Sequence, residues 1–294
     1  MGLPKTAAYL IGTWHTADGD IHHFLREVAA YQSGAIISVF SNRGADLLEH
    51  KPDAEGQLYR GGISTSFTEG AVRYSSPGED GFSFSTDVDS AAWSEAGLLD
   101  VSGSLIAEPT QWFNPWRNGE GGYAVTLKYR VQGTVFGQSA DGFVAVEFHF
   151  FPPGRSFMDS PFGCGGREVH WGHMATAFAD GTLIDASLAI GTDGWGFALL
   201  TDESGNRFAT TQIDVRADVR PNGYPERILY RFLGQEWLWQ IADRAERADV
   251  YDMPGIPLGA EGVLRRVGDN REVVTAMGSI DWWRDGREST IRPI

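Results

Sequence analysis

Beyond residue 166 the chain is cut into short strand-like runs whose spacing leaves little room for anything but antiparallel β-structure. Candidate strands occupy Glu168–Phe178, Thr182–Ile190, Trp195–Thr201, Arg207–Val219, Glu226–Phe232, Trp237–Asp243, Gly262–Arg266 and Glu272–Trp283. Eight short strands over about 120 residues, joined by tight turns, suit a closed or nearly closed antiparallel barrel. Six Asp-Gly and two Asn-Gly pairs, the dipeptides that favour hairpin turns, punctuate the whole chain. Asp180-Gly181 and Asp285-Gly286 stand between strand-like flanks, where the turn reading is strongest.

The first half follows the same grammar. Its cleanest strand places Tyr123, Val125, Leu127, Tyr129 and Val131 on one face and Ala124, Thr126, Lys128, Arg130 and Gln132 on the other. Val144, Val146, Phe148 and Phe150 define another strand, with Phe143, Ala145, Glu147 and His149 opposite. The connection over 133–142 is short enough to make these two an antiparallel pair. Leu10–His15 reads as a first strand. Residues 20–34 are ambiguous. Ile21, Phe24, Leu25, Val28 and Ala29 recur at helical spacing with Asp20 as a cap, while Gln32-Ser33-Gly34 would equally serve as a hairpin turn.

A Pro/Gly-rich break near 152–166 divides the chain, so the expected domains are 1–158 and 159–294. The fold class expected is all-β: two antiparallel β-barrels or sandwiches with few short helices.

Charge narrows the partners. The net charge is −15, which repels phosphate backbones and anionic lipid surfaces; nucleic acid and membrane insertion are therefore not expected. No stretch reaches the ~20 apolar residues of a membrane helix, and the start carries no secretory pattern, so a cytoplasmic protein is expected. The single cysteine, Cys164, precludes an internal disulfide and a cysteine-cluster metal site. P-loop, G-x-G-x-x-G, G-x-S-x-G and HExxH patterns do not occur, which argues against ATP, nicotinamide and serine-hydrolase chemistry. No cofactor is expected.

Arg167-Glu168-Val169-His170-Trp171-Gly172 resembles the Arg-acid-x-x-Trp-Gly motif that opens the second barrel of the tandem lipocalin-like family. That family includes the carotenoid hydratases, tocopherol cyclases and fungal Diels–Alder cyclases. Gly194-Trp195-Gly196-Phe197, Tyr224-Pro225-Glu226-Arg227-Ile228 and Gly278-Ser279-Ile280-Asp281-Trp282-Trp283 resemble its uncharacterised bacterial members. The resemblance covers mainly residues 120–285. It implies two lipocalin-like β-barrels with an apolar ligand inside one barrel or at their junction.

Four sets of residues stand out as chemistry. Glu168 and His170 share a strand face, two residues apart, and a carboxylate holding an imidazole is an acid–base pair poised near neutral pH. His173 points the other way unless Gly172 carries a bulge. The bland alternative makes Glu168 and His170 a hydrogen-bonded barrel corner. A metal site would need a third ligand such as His149 or Asp185. Glu147 and His149 form a second acid–base possibility if their face looks into the lumen; the apolar face opposite favours the outward, solvated reading.

Asp185, between Ile184 and Ala186, would have its pKa raised in an apolar lumen and could then protonate an alkene or enol, as the hydratases and cyclases of the resembled family require. Otherwise it faces water. Trp112 and Trp116 flank Asn114-Pro115 in what reads as a loop. With Trp171 and Trp195 they are candidates for an aromatic pocket wall, whose π-faces stabilise a developing carbocation. Trp237, Trp239 and Trp283 fit core packing better.

These observations point to a cofactor-independent enzyme acting on an apolar small molecule, such as a terpenoid, polyketide, steroid or aromatic. The reaction expected is a hydration, cyclisation, isomerisation or other lyase-type proton transfer. Glu168 would orient His170, and His170 or Asp185 would move the proton. A non-catalytic carrier of the same ligand class, and a metal-dependent enzyme using His and Glu ligands, are the alternatives.

Overall fold

The computed structural model describes residues 5–29, 37–52, 63–68, 70–76, 81–116, 120–155, 159, 166–247, 257–283 and 286–294. The turn considered at Gln32-Ser33-Gly34, Cys164, and Asp285 of the last Asp-Gly pair lie outside the described residues. The chain divides into two compact units, Met1–Arg155 and Ser156–Ile294. Among the described residues the only regular structure besides strands is short 3-10 turns such as Arg287–Thr290. No helix there is long and apolar enough to cross a membrane.

The described residues of the first unit form one sheet of twelve strands: β1 (Lys5–Thr16), β2 (Ile21–Ala29), β3 (Ile37–Ser41), β4 (Glu49–His50), β5 (Ser64–Thr68), β6 (Ala71–Ser75), β7 (Phe82–Thr86), β8 (Ser90–Glu95), β9 (Leu99–Leu105), β10 (Thr110–Pro115), β11 (Gly121–Val135) and β12 (Gln138–Phe150). Their order is β4-β3-β2-β1-β12-β11-β9-β8-β7-β6-β5, with β10 also on β11. First and last strands pair, so the meander curls back on itself. β9 and β10 bond successive stretches of one β11 edge, Tyr129–Val135 and Gly121–Thr126.

The curl encloses a dense apolar interior that includes Leu10, Trp14, Phe24, Phe84, Trp93, Tyr129, Val144 and Val146. One ion pair crosses it. Arg26 on β2 donates from Nε and Nη2 to the Glu95 carboxylate on β8 at 2.9 and 2.6 Å, and Trp93 Nε1 donates to the same carboxylate at 2.8 Å. A bidentate pair with a third donor offsets much of the desolvation cost of burying two charges.

Among its described residues the second unit has nine strands: β13 (Glu168–Phe178), β14 (Leu183–Gly191), β15 (Gly196–Thr201), β16 (Arg207–Thr210), β17 (Asp214–Val219), β18 (Pro225–Phe232), β19 (Gln235–Glu246), β20 (Leu258–Arg266) and β21 (Val273–Trp282). Their order is β16-β15-β14-β13-β21-β20-β19-β18-β17. A plain nine-strand meander would bring its ends together parallel, yet β13 and β21 pair antiparallel. The parity is repaired between β16 and β17, which run in the same sense. The run expected as one strand over Arg207–Val219 is thus one strand broken in the middle. Its first part bonds β15 and its second part bonds β18. At the break Gln212 N donates to Thr210 Oγ1 at 3.0 Å, a local turn that outcompetes the ladder. The edge of β17 away from β18 is met by the C-terminal segment: Ala217 N donates to the Arg292 carbonyl at 2.9 Å.

The helical reading of Ile21–Ala29 is overturned: this segment is β2, paired along its length with β1. Both of its faces are largely buried, so apolar residues fall on both strand faces and mimic a helical period. Double burial recurs in β12, buried at every residue from Gly142 to Glu147, and in β13, buried at all but Trp171.

Candidate active site

The sheet separates the residues nominated from sequence into three groups. On β13, His170 faces the interior of the second unit. Its Nδ1 lies 3.1 Å from the Asp281 carbonyl, an acceptor only, so Nδ1 carries the proton. Nε2 then accepts from the Tyr230 hydroxyl at 2.6 Å. Burial lowers the imidazole to about 4 and raises the Tyr230 phenol well above its usual value. The pairing expected between Glu168 and His170 is not formed. A register shift lies between the two residues, and Glu168 Oε1 accepts from Trp283 Nε1 at 3.0 Å while its carbonyl accepts from Arg287 Nη1 at 2.7 Å. Both residues behave as the hydrogen-bonded corner of a barrel.

His173 points away from that interior, in regular register opposite Ser187 and Ser279, with no bulge at Gly172. Trp171 Nε1 donates to His173 Nε2 at 3.1 Å, which leaves Nδ1 as the protonated nitrogen, 3.4 Å from Ser187 Oγ. Asp185 shares this face, two residues along β14 from Ser187; it does not stand in the apolar lumen with Ile184 and Ala186. Phe197 packs edge-on against both Trp171 and Trp195, and the Arg167 guanidinium lies over Trp195.

The third group comes together in the first unit. Glu147 and His149 lie on the face of β12 opposite the apolar core, as their alternation with Val146 and Phe148 requires. They are buried, not solvated, with 6% and 3% of their surface exposed. Glu147 Oε2 sits 2.9 Å from His149 Nε2 at ion-pair distance, and Thr126 Oγ1 lies 3.5 Å from Glu147 Oε1. Three rings surround the imidazole: Tyr9 edge-on at 5.1 Å, Trp112 edge-on at 6.0 Å and Phe151 tilted at 5.5 Å. Trp116 packs on Phe151 at 5.9 Å. Trp112 is not in a loop; β10 carries it opposite Ala124, which is itself opposite His149.

Tyr9 extends this cluster to a second carboxyl. Its hydroxyl donates to Glu27 Oε1 at 3.0 Å. Burial raises Glu27 above the usual carboxylate range, against the smaller opposing pulls of the Tyr9 hydrogen bond and the His149 charge. Tyr9, Glu27 and Trp112 are only partly buried, so the cluster has an accessible edge. Two carboxyls in unlike settings beside one imidazole are the ingredients of paired acid and base function. Tyr9 and Glu27 escape a sequence reading because the first one lies before the strand run expected from Leu10 and the second in the helix-like segment. Among the described residues no three His, Cys, Asp or Glu side chains gather as metal ligands would.

No protein-family model matches the chain. No curated protein matches it. Solved structures do. A protein of Nitrosomonas europaea provisionally called AttH superposes with a TM-score of 0.52 at 14% identity, over 95% of this chain and 92% of that one. CghA in complex with Sch210972 superposes with a TM-score of 0.50 at 10% identity, over 96% and 90%. This chain shares the fold of these two proteins. Kievitone hydratase from Nectria haematococca is also similar, with a TM-score of 0.47 at 10% identity over 97% and 90%. At these identities the likeness concerns the fold, and residue roles rest on this chain's own geometry.

Proposed function

We propose that this chain is a cofactor-independent enzyme that binds an apolar small molecule and moves a proton on it, in a hydration, cyclisation, isomerisation or elimination. The observation that carries the reading is the Glu147–His149 pair walled by Tyr9, Trp112 and Phe151. Glu147 orients the imidazole from 2.9 Å, which places His149 to exchange a proton with the substrate. Glu27, biased by burial towards its neutral form, is the complementary acid, with Tyr9 between them. The aromatic walls hold the ligand in a reactive conformer, exclude water and stabilise positive charge developing on carbon. CghA, which has this fold, binds Sch210972. The fold's use for hydratases and cyclases in the resembled family supports the reaction class.

This assignment moves the proton-transferring role from His170 and Asp185 to His149. His170 has both nitrogens engaged inside the second unit. His173, Asp185, Trp171 and Trp195 remain candidates for ligand contact on their own face.

The test is turnover of terpenoid alkenes and α,β-unsaturated ketones in D2O, read by mass spectrometry for added D2O or carbon-bound deuterium. Incorporation should fall at least 100-fold in His149→Gln and Glu147→Gln, while ligand binding stays within a few-fold. Undiminished turnover in both variants would overturn the site. Ligand retained without any turnover would make the protein a carrier.

A further inference from the structure

A second apolar feature lies on the other face of β11 and β12. A largely open cleft of about 340 Å3 lies at the edge of the first unit's core, with Val72, Leu127 and Phe148 among its lining residues. It is bordered by the β5–β6 hairpin, through Phe67 and Ala71, and by the β7–β8 turn, through Thr86, Asp87 and Val88. At its rim Phe67 and Val88 are 69% and 62% exposed, although both are large apolar side chains. Exposed apolar residues bordering a concave apolar surface mark a binding groove more often than scattered exposure does.

We propose that this cleft is a second ligand site, which takes a slender alkyl chain ending in a neutral or amine head group and rejects one ending in a carboxylate. The lining selects the chain. The rim selects the head group, because Asp87, next to Val88 in the turn, lines it. The Asp87 carboxylate is fixed there, with Oδ1 accepting from the backbone N–H groups of Asp89 and Ser90 at 2.8 and 2.6 Å. Those two hydrogen bonds hold it below the usual carboxylate range, so it stays ionised at neutral pH. An anionic head group would meet a fixed negative charge, while a hydroxyl or ammonium would not.

Glu147 and His149 project from the face of β12 opposite to Phe148, and Tyr9 stands opposite Glu147 on β1. Occupancy of the cleft is therefore separable from turnover.

Isothermal titration with decan-1-ol, decylamine and decanoate tests the proposal. The alcohol and the amine should bind at one per chain, with decanoate at least 10-fold weaker. Phe67→Asp and Val88→Asp, at exposed positions where the fold tolerates a charge, should each weaken decanol at least 10-fold with Tm unchanged. Asp87→Asn keeps the Oδ1 acceptor of the turn and should restore decanoate binding. His149→Gln should leave decanol binding intact. The proposal fails if decanoate binds as tightly as decanol to the unaltered chain, if the two rim variants bind normally, or if His149→Gln abolishes decanol binding.

Discussion

The hydroxyl of Tyr230 donates to His170 Nε2 across 2.6 Å in the interior of the second unit, joining β18 to β13 across the curl of the sheet. The same imidazole donates to the Asp281 carbonyl on the neighbouring β21. One side chain thus ties the strand that opens this sheet to the strand beside it and to one on the far wall.

Tyr230→Phe leaves Nε2 buried without its donor. It should lower unfolding free energy by about 1–3 kcal/mol in urea titrations. His170→Ala should cost more, because it adds a cavity to two lost hydrogen bonds. Tyr230→Phe should leave the pH profile of turnover unchanged. A displaced profile would mean that His170 takes part in proton transfer.

Acid should destabilise the fold in a defined window. Burial lowers His22 and His170 to about 4 from an unfolded value of 6.5. Between those values the unfolded chain binds protons that the folded chain does not. Stability is therefore complete above pH 6.5 and falls as the pH drops towards 4, by on the order of 3 kcal/mol for each residue. Urea midpoints at pH 7.5, 5.5 and 4.5 should show this slope, and His22→Leu should remove about half of it.

Burial acts on Glu27 for the same reason but in the other direction, because the charged form of a carboxyl is the deprotonated one, and the two groups that oppose it are testable by NMR. The Tyr9 hydrogen bond and the His149 charge both pull its carboxyl down against burial. Tyr9→Phe and His149→Gln should each move its 13C titration to higher pH. Since a raised carboxyl loses its stabilising contribution as pH rises through its folded value, both variants should also be less stable at pH 7 than at pH 5, relative to the unaltered chain.

The Arg26–Glu95 pair should prove costly to break and cheap to replace. Glu95→Gln leaves the guanidinium buried beside a neutral partner, with an expected loss of about 3–5 kcal/mol. Replacing both residues with leucine or methionine should cost much less, and a double-mutant cycle in urea separates the two effects.

A methyl group at Gly278 should be poorly tolerated. Its Cβ would lie 2.0 Å from the Gly262 carbonyl oxygen, where β21 meets β20. The Gly278 carbonyl also accepts from Trp239 Nε1 at 3.0 Å, so the strand cannot retreat without losing that bond. Gly278→Ala should cost roughly 3 kcal/mol or more, measured as a fall in Tm.

Much of the fold was legible because strand alternation is local. The run Tyr123–Gln132 could be placed in a strand from the alternation of its own residues, and the antiparallel pairing across 133–142 followed from the shortness of the connection. The segment Ile21–Ala29 was not legible, because burial on both faces erases the two-residue period that identifies a strand. The break within Arg207–Val219 was hidden for another reason: both halves are strand, and only their partners differ.

The candidate site divides in the same way. Glu147 and His149 could be placed on one face from their spacing alone, since residues two apart on a strand must share a side. Their burial could not be read, because it depends on what covers that face. The grouping of Trp112 with His149 needed the pairing of β10, β11 and β12. Tyr9 and Glu27 joined it through the register of β1 against both β2 and β12. By itself the sequence determined strand identity, turn positions and which residues share a face, for these follow from backbone geometry repeated every two residues. Tertiary structure alone decided that His170 is locked against Tyr230 and that His149 stands among aromatic rings. Those outcomes depend on strands far apart in the chain being brought together by the curl of each sheet.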